Sequence, residues 1–334
     1  MKRRNAALAC AVLIAVAAGA MALAGANPVD GFVALLRGAL GGPRQLSETL
    51  VATTSLLFPA LAVALAFRAG LFNIGAEGQL IVGGLAAGVL GTRLDAPGAL
   101  AIPAILAAGA LGGGAWGAIA GVIRARFGGS EVIATLMLNI VAALLANYLL
   151  VGPLRAPGAE GAETAELPTA SWLPVLVAGT RLTVALPLGL ALAVLLALVL
   201  SRTVFGYTLR AAGEAPQAAL RAGIDLRRTA VVAMALSGAL AGLGGATVVA
   251  GVLHRFNAAL SPGYGFIAIA VALVADLDPL RIVVAAFAFG VLQSGSLGMQ
   301  SLAHVPKDVI AIVEGLAILA LAARRYVVPR AAAA

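Results

Sequence analysis

Charge is what this sequence has least of. Of 334 residues, 22 are Lys or Arg and 14 are Asp or Glu, so only 11% are charged. A soluble domain carries about 25% charged residues to cover its core. The shortage excludes an ordinary water-soluble enzyme. The 62% apolar content excludes a disordered chain. Cysteine is nearly absent as well: Cys10 stands alone, so no disulfide framework can form. There are two lysines, Lys2 and Lys307, and neither follows a glycine. A phosphate-binding P-loop needs Gly-Lys followed by Ser or Thr, so ATP cannot be bound here in that way. The two histidines, His254 and His304, lack metal-site spacing, which removes zinc and metalloprotease chemistry. The formal charge of +8 does not point to nucleic acid, because no basic patch is interleaved with aromatics, which are 5% of the chain.

What is present is long apolar segments, and the mean hydropathy is +1.05. Ten runs fall near 6–25, 49–67, 71–91, 99–122, 131–151, 182–200, 229–252, 264–275, 281–299 and 309–323. Each is about as long as a bilayer-spanning helix requires, except the short eighth. The expectation is an all-α polytopic membrane protein of about ten transmembrane helices, forming one domain over 1–334. Cytoplasmic loops collect Lys and Arg. With both termini inside, fifteen of the 22 basic residues fall inside and seven outside. The first segment has a rival reading: Lys2-Arg3-Arg4, an apolar run and Ala24-Gly25-Ala26 also fit a cleavable signal peptide.

Polar groups inside spans are costly and usually face a bundle interior or a water-filled path. In the fifth span Glu131, Thr135 and Asn139 fall within roughly 80° of one helix face. In the ninth, Gln293, Ser296 and Gln300 fall within about 60°. Both stripes suit either interhelical hydrogen bonds or the lining of a path. Asn147 lies off the first stripe and reads as a contact to a neighbouring helix. A third group, Asn73, Glu77 and Gln79, sits in a glycine-rich stretch, where Gly75 and Gly78 allow a helix break. Broken backbone at membrane depth is tolerated only when buried in protein or lining a cavity. The fourth span carries Gly109, Gly113, Gly117 and Gly121, a flat face for close helix packing.

Two connectors are long. One, 152–181, has four prolines and the acids Glu160, Glu163 and Glu166. The other, 201–228, has five arginines. Within it Pro216 suits a helix start and Gly223 a helix stop, which predicts a short amphipathic helix near 215–222. Such a helix could lie on the lipid surface or serve as a rigid peg for a partner.

Three stretches carry a family resemblance: 70–79 (Gly-Leu-Phe-Asn-Ile-Gly-Ala-Glu-Gly-Gln), 131–139 (Glu-Val-Ile-Ala-Thr-Leu-Met-Leu-Asn), and 209–224 with Ser237-Gly-Ala-Leu-Ala-Gly behind it. The chain resembles permease subunits of bacterial ATP-binding-cassette importers. It is nearest the nucleoside and simple-sugar branch, and more distantly similar to ribose and branched-chain amino acid permeases. It departs from the pattern at Ala215, where the family usually has Asn, and at Glu314, where Gln is usual.

The resemblance implies a multi-pass protein of the bacterial cytoplasmic (inner) membrane with an inverted internal repeat. It implies a non-enzymatic transport subunit that forms the path for a small polar solute, a nucleoside or simple sugar in class. No cofactor is expected in this chain, since ATP and Mg would be bound by a separate ATPase subunit. The implied partners are that ATPase, a second permease (a sister or a second copy), an extracytoplasmic substrate-binding lipoprotein and membrane lipid, with no nucleic acid. The expected pathway residues are Asn73, Glu77, Gln79, Glu131, Thr135, Asn139, Gln293 and Gln300. The expected ATPase-docking residues are Arg210, Gly213, Glu214, Ala218, Ala219, Arg221 and Gly223, with Ala218, Ala219 and Ala222 forming a small-residue face.

Overall fold

A computed structural model describes residues 15–306 and positions 309, 312, 315 and 316. Cys10, Lys307, Glu314 and most of the segment 309–323 lie outside the described residues. Among the described residues the regular structure is helical, with only two isolated β-bridges, Glu163 to Asn257 and Val175 to Thr183. The helices are α1 (Ala15–Leu23), α2 (Pro28–Leu40), α3 (Pro43–Arg68), α4 (Ala76–Gly91), α5 (Gly98–Phe127), α6 (Glu131–Val151), α7 (Ala185–Arg202), α8 (Val204–Glu214), α9 (Pro216–Arg221), α10 (Leu226–Val248), α11 (Tyr264–Val274) and α12 (Pro279–Leu302).

Among the described residues six helices are long and apolar enough to cross a membrane: α3, α5, α6, α7, α10 with its continuation to Leu253, and α12. The pair α1 and α2, bent by 109°, would make a seventh if counted as one span. Helices α4 and α11 are apolar but shorter. At 1.5 Å per residue the 16 residues of α4 reach about 24 Å, less than a hydrocarbon core of about 30 Å.

The chain divides into two compact units, residues 1–53 with 287–334, and residues 54–286. In the first, α2 is a helix that the hydropathy pattern did not predict. Its start is written locally: Asn27 accepts the Val29 N–H at 3.0 Å, and Pro28 occupies the first helical position, where a missing N–H costs nothing. Met21, Leu35, Met299 and Val305 form its apolar cluster. Gly38 faces Gly298 so closely that an added Cβ would lie 2.6 Å from the partner's Cα.

In the second unit α4, α5 and α10 are packed through glycine. The repeat Gly109, Gly113 and Gly117 faces Gly242, Gly238 and the Met234 carbonyl of α10. Side chains at these positions would displace backbone, so the glycine face sets the distance between α5 and α10. Helix α10 ends in a π-turn, Val249–Leu253, closed by His254 in the left-handed conformation at φ 55°. The long segment 152–184 is stitched to this end: Thr164 N–H bonds the Phe256 carbonyl at 2.9 Å, Leu167 N–H that of His254 at 2.8 Å, and Leu173 N–H that of Ala250 at 2.9 Å.

Candidate functional site, a broken backbone held by side chains

Between α3 and α4 the chain is not helical over 70–75. Backbone groups there have lost their helical partners, and leaving one unpaired in an apolar interior costs about 1–3 kcal/mol. The structure supplies partners from distant side chains. Asn139 of α6 accepts the Gly78 N–H at 2.8 Å and donates to the Ile74 carbonyl at 2.9 Å. One amide thus caps the start of α4 from a neighbouring helix, where Gly75, the residue before α4, has no side chain to do so. Asn73, fully buried, accepts the Gly75 N–H at 2.9 Å and exchanges hydrogen bonds with Gln79 at 2.9 and 3.2 Å. It also donates to Ser237 Oγ of α10 at 2.8 Å, and Ser237 donates onward to the Ala62 carbonyl of α3 at 2.6 Å. A buried network with every member satisfied specifies one arrangement of its helices.

Thr135 packs beside Gly75, where an added Cβ would come within 2.9 Å of the Thr135 Cβ, and its hydroxyl donates back to the Glu131 carbonyl at 2.7 Å. Glu131, at the start of α6, pairs with Arg124 at 3.5 Å. The helical stripe therefore has two uses: Asn139 and Thr135 support the break, while Glu131 makes a half-exposed ion pair of small energetic weight.

Glu77 is 7% exposed, and its Oε2 accepts the Gly265 N–H at 2.7 Å, with the Ser261 hydroxyl and Gly263 N–H as further donors. Its carboxylate therefore sits at the positive N-terminal end of α11, where a negative charge is favourable. Gly265 lies against the Glu77 backbone with no room for a Cβ. Ser261 accepts the N–H groups of Gly263 and Tyr264 at 3.2 and 2.9 Å. The glycine-rich stretch 70–79 and a second one before α11, Ser261-Pro-Gly-Tyr-Gly-Phe266, meet at this clasp.

The third stretch joins on the other side. Gly213, next to last in α8, presses against Arg68 and Gly70, and Gly70 takes φ 74°. Arg68 also donates to the Leu277 carbonyl at 3.3 Å and the Asp276 carbonyl at 3.4 Å. All three stretches that are far apart in sequence thus converge on the break.

The connector 201–228 holds two helices where one was expected. Thr203 caps α8 by accepting the Gly206 N–H at 3.1 Å, and α9 follows at once with Pro216 in its first position. The expected small-residue face is corrected: Ala219 is only 3% exposed and faces inward, whereas Ala218 and Ala222 face outward. Glu214, Arg221 and Gly223 are exposed, and Arg210 and Gly213 are half-buried. An open hollow on the outer side of α9 is lined by Ala215, Pro216, Gln217, Ala218, Arg221 and Ala222. Gln293 and Gln300 belong to the first unit: Gln293 is half-buried with an Oε1 that has no partner among the described residues, and Gln300 is exposed.

Residues 45–322 match the family described as branched-chain amino acid transport system, permease component. The chain belongs to this family. The guanosine ABC transporter permease protein NupP of Bacillus subtilis is 36% identical over 93% of this chain and 91% of its own. The glucose ABC transporter permease protein TsgB13 of Haloferax volcanii is 34% identical over 93% and 85%. A second Bacillus subtilis guanosine permease, NupQ, is 31% identical over 78% and 84%. No solved structure matches the chain. The protein is thus a multi-pass membrane permease component of a transport system, and no enzyme.

Sequence reasoning missed several groups that hold this permease together. The stretch 47–55 of α3 contains Ser47, Thr49, Thr53, Thr54 and Ser55, all buried. Ser55 bonds the Tyr264 hydroxyl at the start of α11. Five hydroxyls in nine residues of a membrane-depth helix was the available signal. Arg68 gave none, because its partners are main-chain carbonyls two hundred residues away.

Proposed function

We propose that this permease forms the path for an uncharged polar solute, a nucleoside or a simple sugar, and is driven by a separate ATPase. The observation that carries the reading is the Gly213–Gly70 contact. It joins the helix pair α8 and α9 directly to the broken, side-chain-supported backbone at 70–75. A rigid element that abuts a break can move it. The exposed side of α9, with Ala218, Arg221 and the adjoining Glu214 and Gly223, is the docking surface for the ATPase, which holds ATP and Mg. Arg210 and Gly213 anchor it, and Ala219 is the buried side of the same helix.

The six long helices, the bent pair, α4, α11 and the segment 309–323 then make ten crossings of a bacterial inner membrane, with both termini cytoplasmic. The broken entries before α4 and α11 are the corresponding points of an inverted repeat. Asn73, Glu77, Gln79, Glu131, Thr135 and Asn139 form the wall of the path around the break. Gln293 and Gln300 are proposed for it on helical spacing alone. A binding lipoprotein delivers the solute from the opposite side. Two guanosine permeases in one organism, at 36% and 31% identity, favour a sister permease over a second copy as partner.

The test is reconstitution in nanodiscs with a cognate ATPase, sister permease and binding protein. Nucleosides or hexoses should stimulate ATP hydrolysis, and Arg221→Glu should lower recovery of the ATPase with the permease. Stimulation by branched-chain amino acids alone would overturn the solute class. Undiminished recovery and stimulation in Arg221→Glu would overturn the docking surface.

A further inference from the structure

The segment 174–184 is a small hairpin that the transport reading does not use. Val175 and Thr183 form its bridge, Leu176 N–H bonds the Leu182 carbonyl at 2.7 Å, and Val184 N–H bonds the Pro174 carbonyl at 3.0 Å. The turn closes at Gly179, φ 76°. Its base is fixed, since Leu173 and Thr183 are buried against Gly251 in the turn that ends α10, and Leu182 is buried as well. Its first arm, leading up to the turn, is the opposite: Val175, Leu176 and Val177 are 53%, 47% and 48% exposed. Three consecutive exposed aliphatic side chains on one arm of a hairpin are unfavourable in water and call for an apolar neighbour.

We propose that this arm is seated in the interfacial layer of the bilayer, with Val175, Leu176 and Val177 among the lipid chains. Two observations choose lipid as the occupant. First, the hairpin runs straight into α7 at Ala185, a helix apolar enough to span, on which Leu190, Val194, Leu195 and Leu198 are exposed. Second, charge is sorted along the connector. Glu160, Glu163 and Glu166 lie in its first part, where Arg255 holds Glu163 at 2.8 Å and Glu166 at 3.4 Å. From 167 to 184 there is no acidic residue and one cation, Arg181. Aliphatic side chains beside a cation, with no acid, suit a layer bounded by lipid phosphates. The seat holds the connector at a fixed height over the end of α10. The proposal rests on the reading that α7 crosses the membrane, and the experiment separates the two.

Leu176→Cys on a Cys10→Ser background would be labelled with an environment-sensitive fluorophore, and the intact chain placed in nanodiscs with or without lipid bearing a nitroxide high on the acyl chain. Insertion by about 5–10 Å predicts that the nitroxide lipid roughly halves the emission while aqueous iodide does little. Val177→Cys should behave alike and serves if the first variant folds poorly. A probe at Leu195→Cys on α7 should be quenched by lipid, and one at Gly161→Cys by iodide. Iodide quenching at Leu176 and Val177, with Leu195 still quenched by lipid, overturns the hairpin proposal alone. Iodide quenching at all three overturns the membrane reading with it. Shielding that arises only on adding the binding protein would show a protein docking site and equally overturn the lipid seat.

Discussion

Replacing Asn139 with Ala removes both hydrogen bonds that close the break. The Gly78 N–H and the Ile74 carbonyl, now bonded at 2.8 and 2.9 Å, would then lie unpaired in the protein interior. Each such group costs about 1–3 kcal/mol in soluble proteins. Side-chain hydrogen bonds inside a membrane bundle have averaged about 0.6 kcal/mol, with a maximum near 1.7, because the disrupted state finds other partners. Here the acceptor and donor are main-chain atoms in a non-helical segment, which have fewer alternatives than side chains. A loss of about 2–4 kcal/mol follows. Asn147 of the same helix is exposed, and its change to Ala should stay within about 0.5 kcal/mol. The assay is reversible unfolding in bicelles, with both single variants and the parent measured side by side. Asn139→Asp adds a test of geometry: it keeps the acceptor for Gly78 but loses the donor to Ile74, and should fall between parent and Ala. If Asn139→Ala and Asn147→Ala cost the same, the break does not depend on α6, and the account of the site fails.

Glu77→Gln keeps an acceptor for the Gly265 N–H, so it should assemble nearly as well as the parent, whereas Glu77→Ala should lose about 1.5–3 kcal/mol and transport less per assembled molecule. Equal proteoliposome uptake by parent, Gln and Ala variants would remove Glu77 from the site. Ala218→Trp should leave stability unchanged and weaken ATPase recovery, while Ala219→Trp, overfilling a buried position, should lower the melting temperature itself; the reverse pattern would mean that α9 presents its other side. His254 stacks on Trp172 with ring centroids 3.7 Å apart, and burial holds its pKa below the usual 6.5, opposed only in part by nearby groups including the Glu166 carboxylate. Between the lowered value and 6.5 the opened state binds more protons than the closed one, so closure strengthens as pH rises through that window and weakens as pH falls. Hydrogen exchange at the Leu167 amide, bonded to the His254 carbonyl, should lose protection between about pH 7.5 and 5.5 after correction for intrinsic rates, and His254→Phe should flatten the dependence. An unchanged slope in His254→Phe would assign the effect to another group.

The sequence by itself determined the solvent of this protein and the location of its break. Thirty-six charges cannot cover the core of a 334-residue soluble domain, and apolar runs of span length leave lipid as the only surrounding that suits them. Polar residues beside Gly75 and Gly78 announce a broken helix, because such groups at that depth need a purpose. The glycine repeat of α5 likewise declares a close-packed face by composition alone. What the sequence could not reveal is which distant groups meet there. That Asn139 caps α4, that Glu77 caps α11, that Ser237 completes the Asn73 network and that Gly213 lodges against Gly70 depends on contacts between residues 61 to 188 positions apart. Helix α2 escaped notice because its start is set by Asn27 and Pro28 and not by a long apolar run. The inward side of α9 was misjudged because six residues hold fewer than two turns, too few for a period to emerge, and only packing decides which alanine is buried.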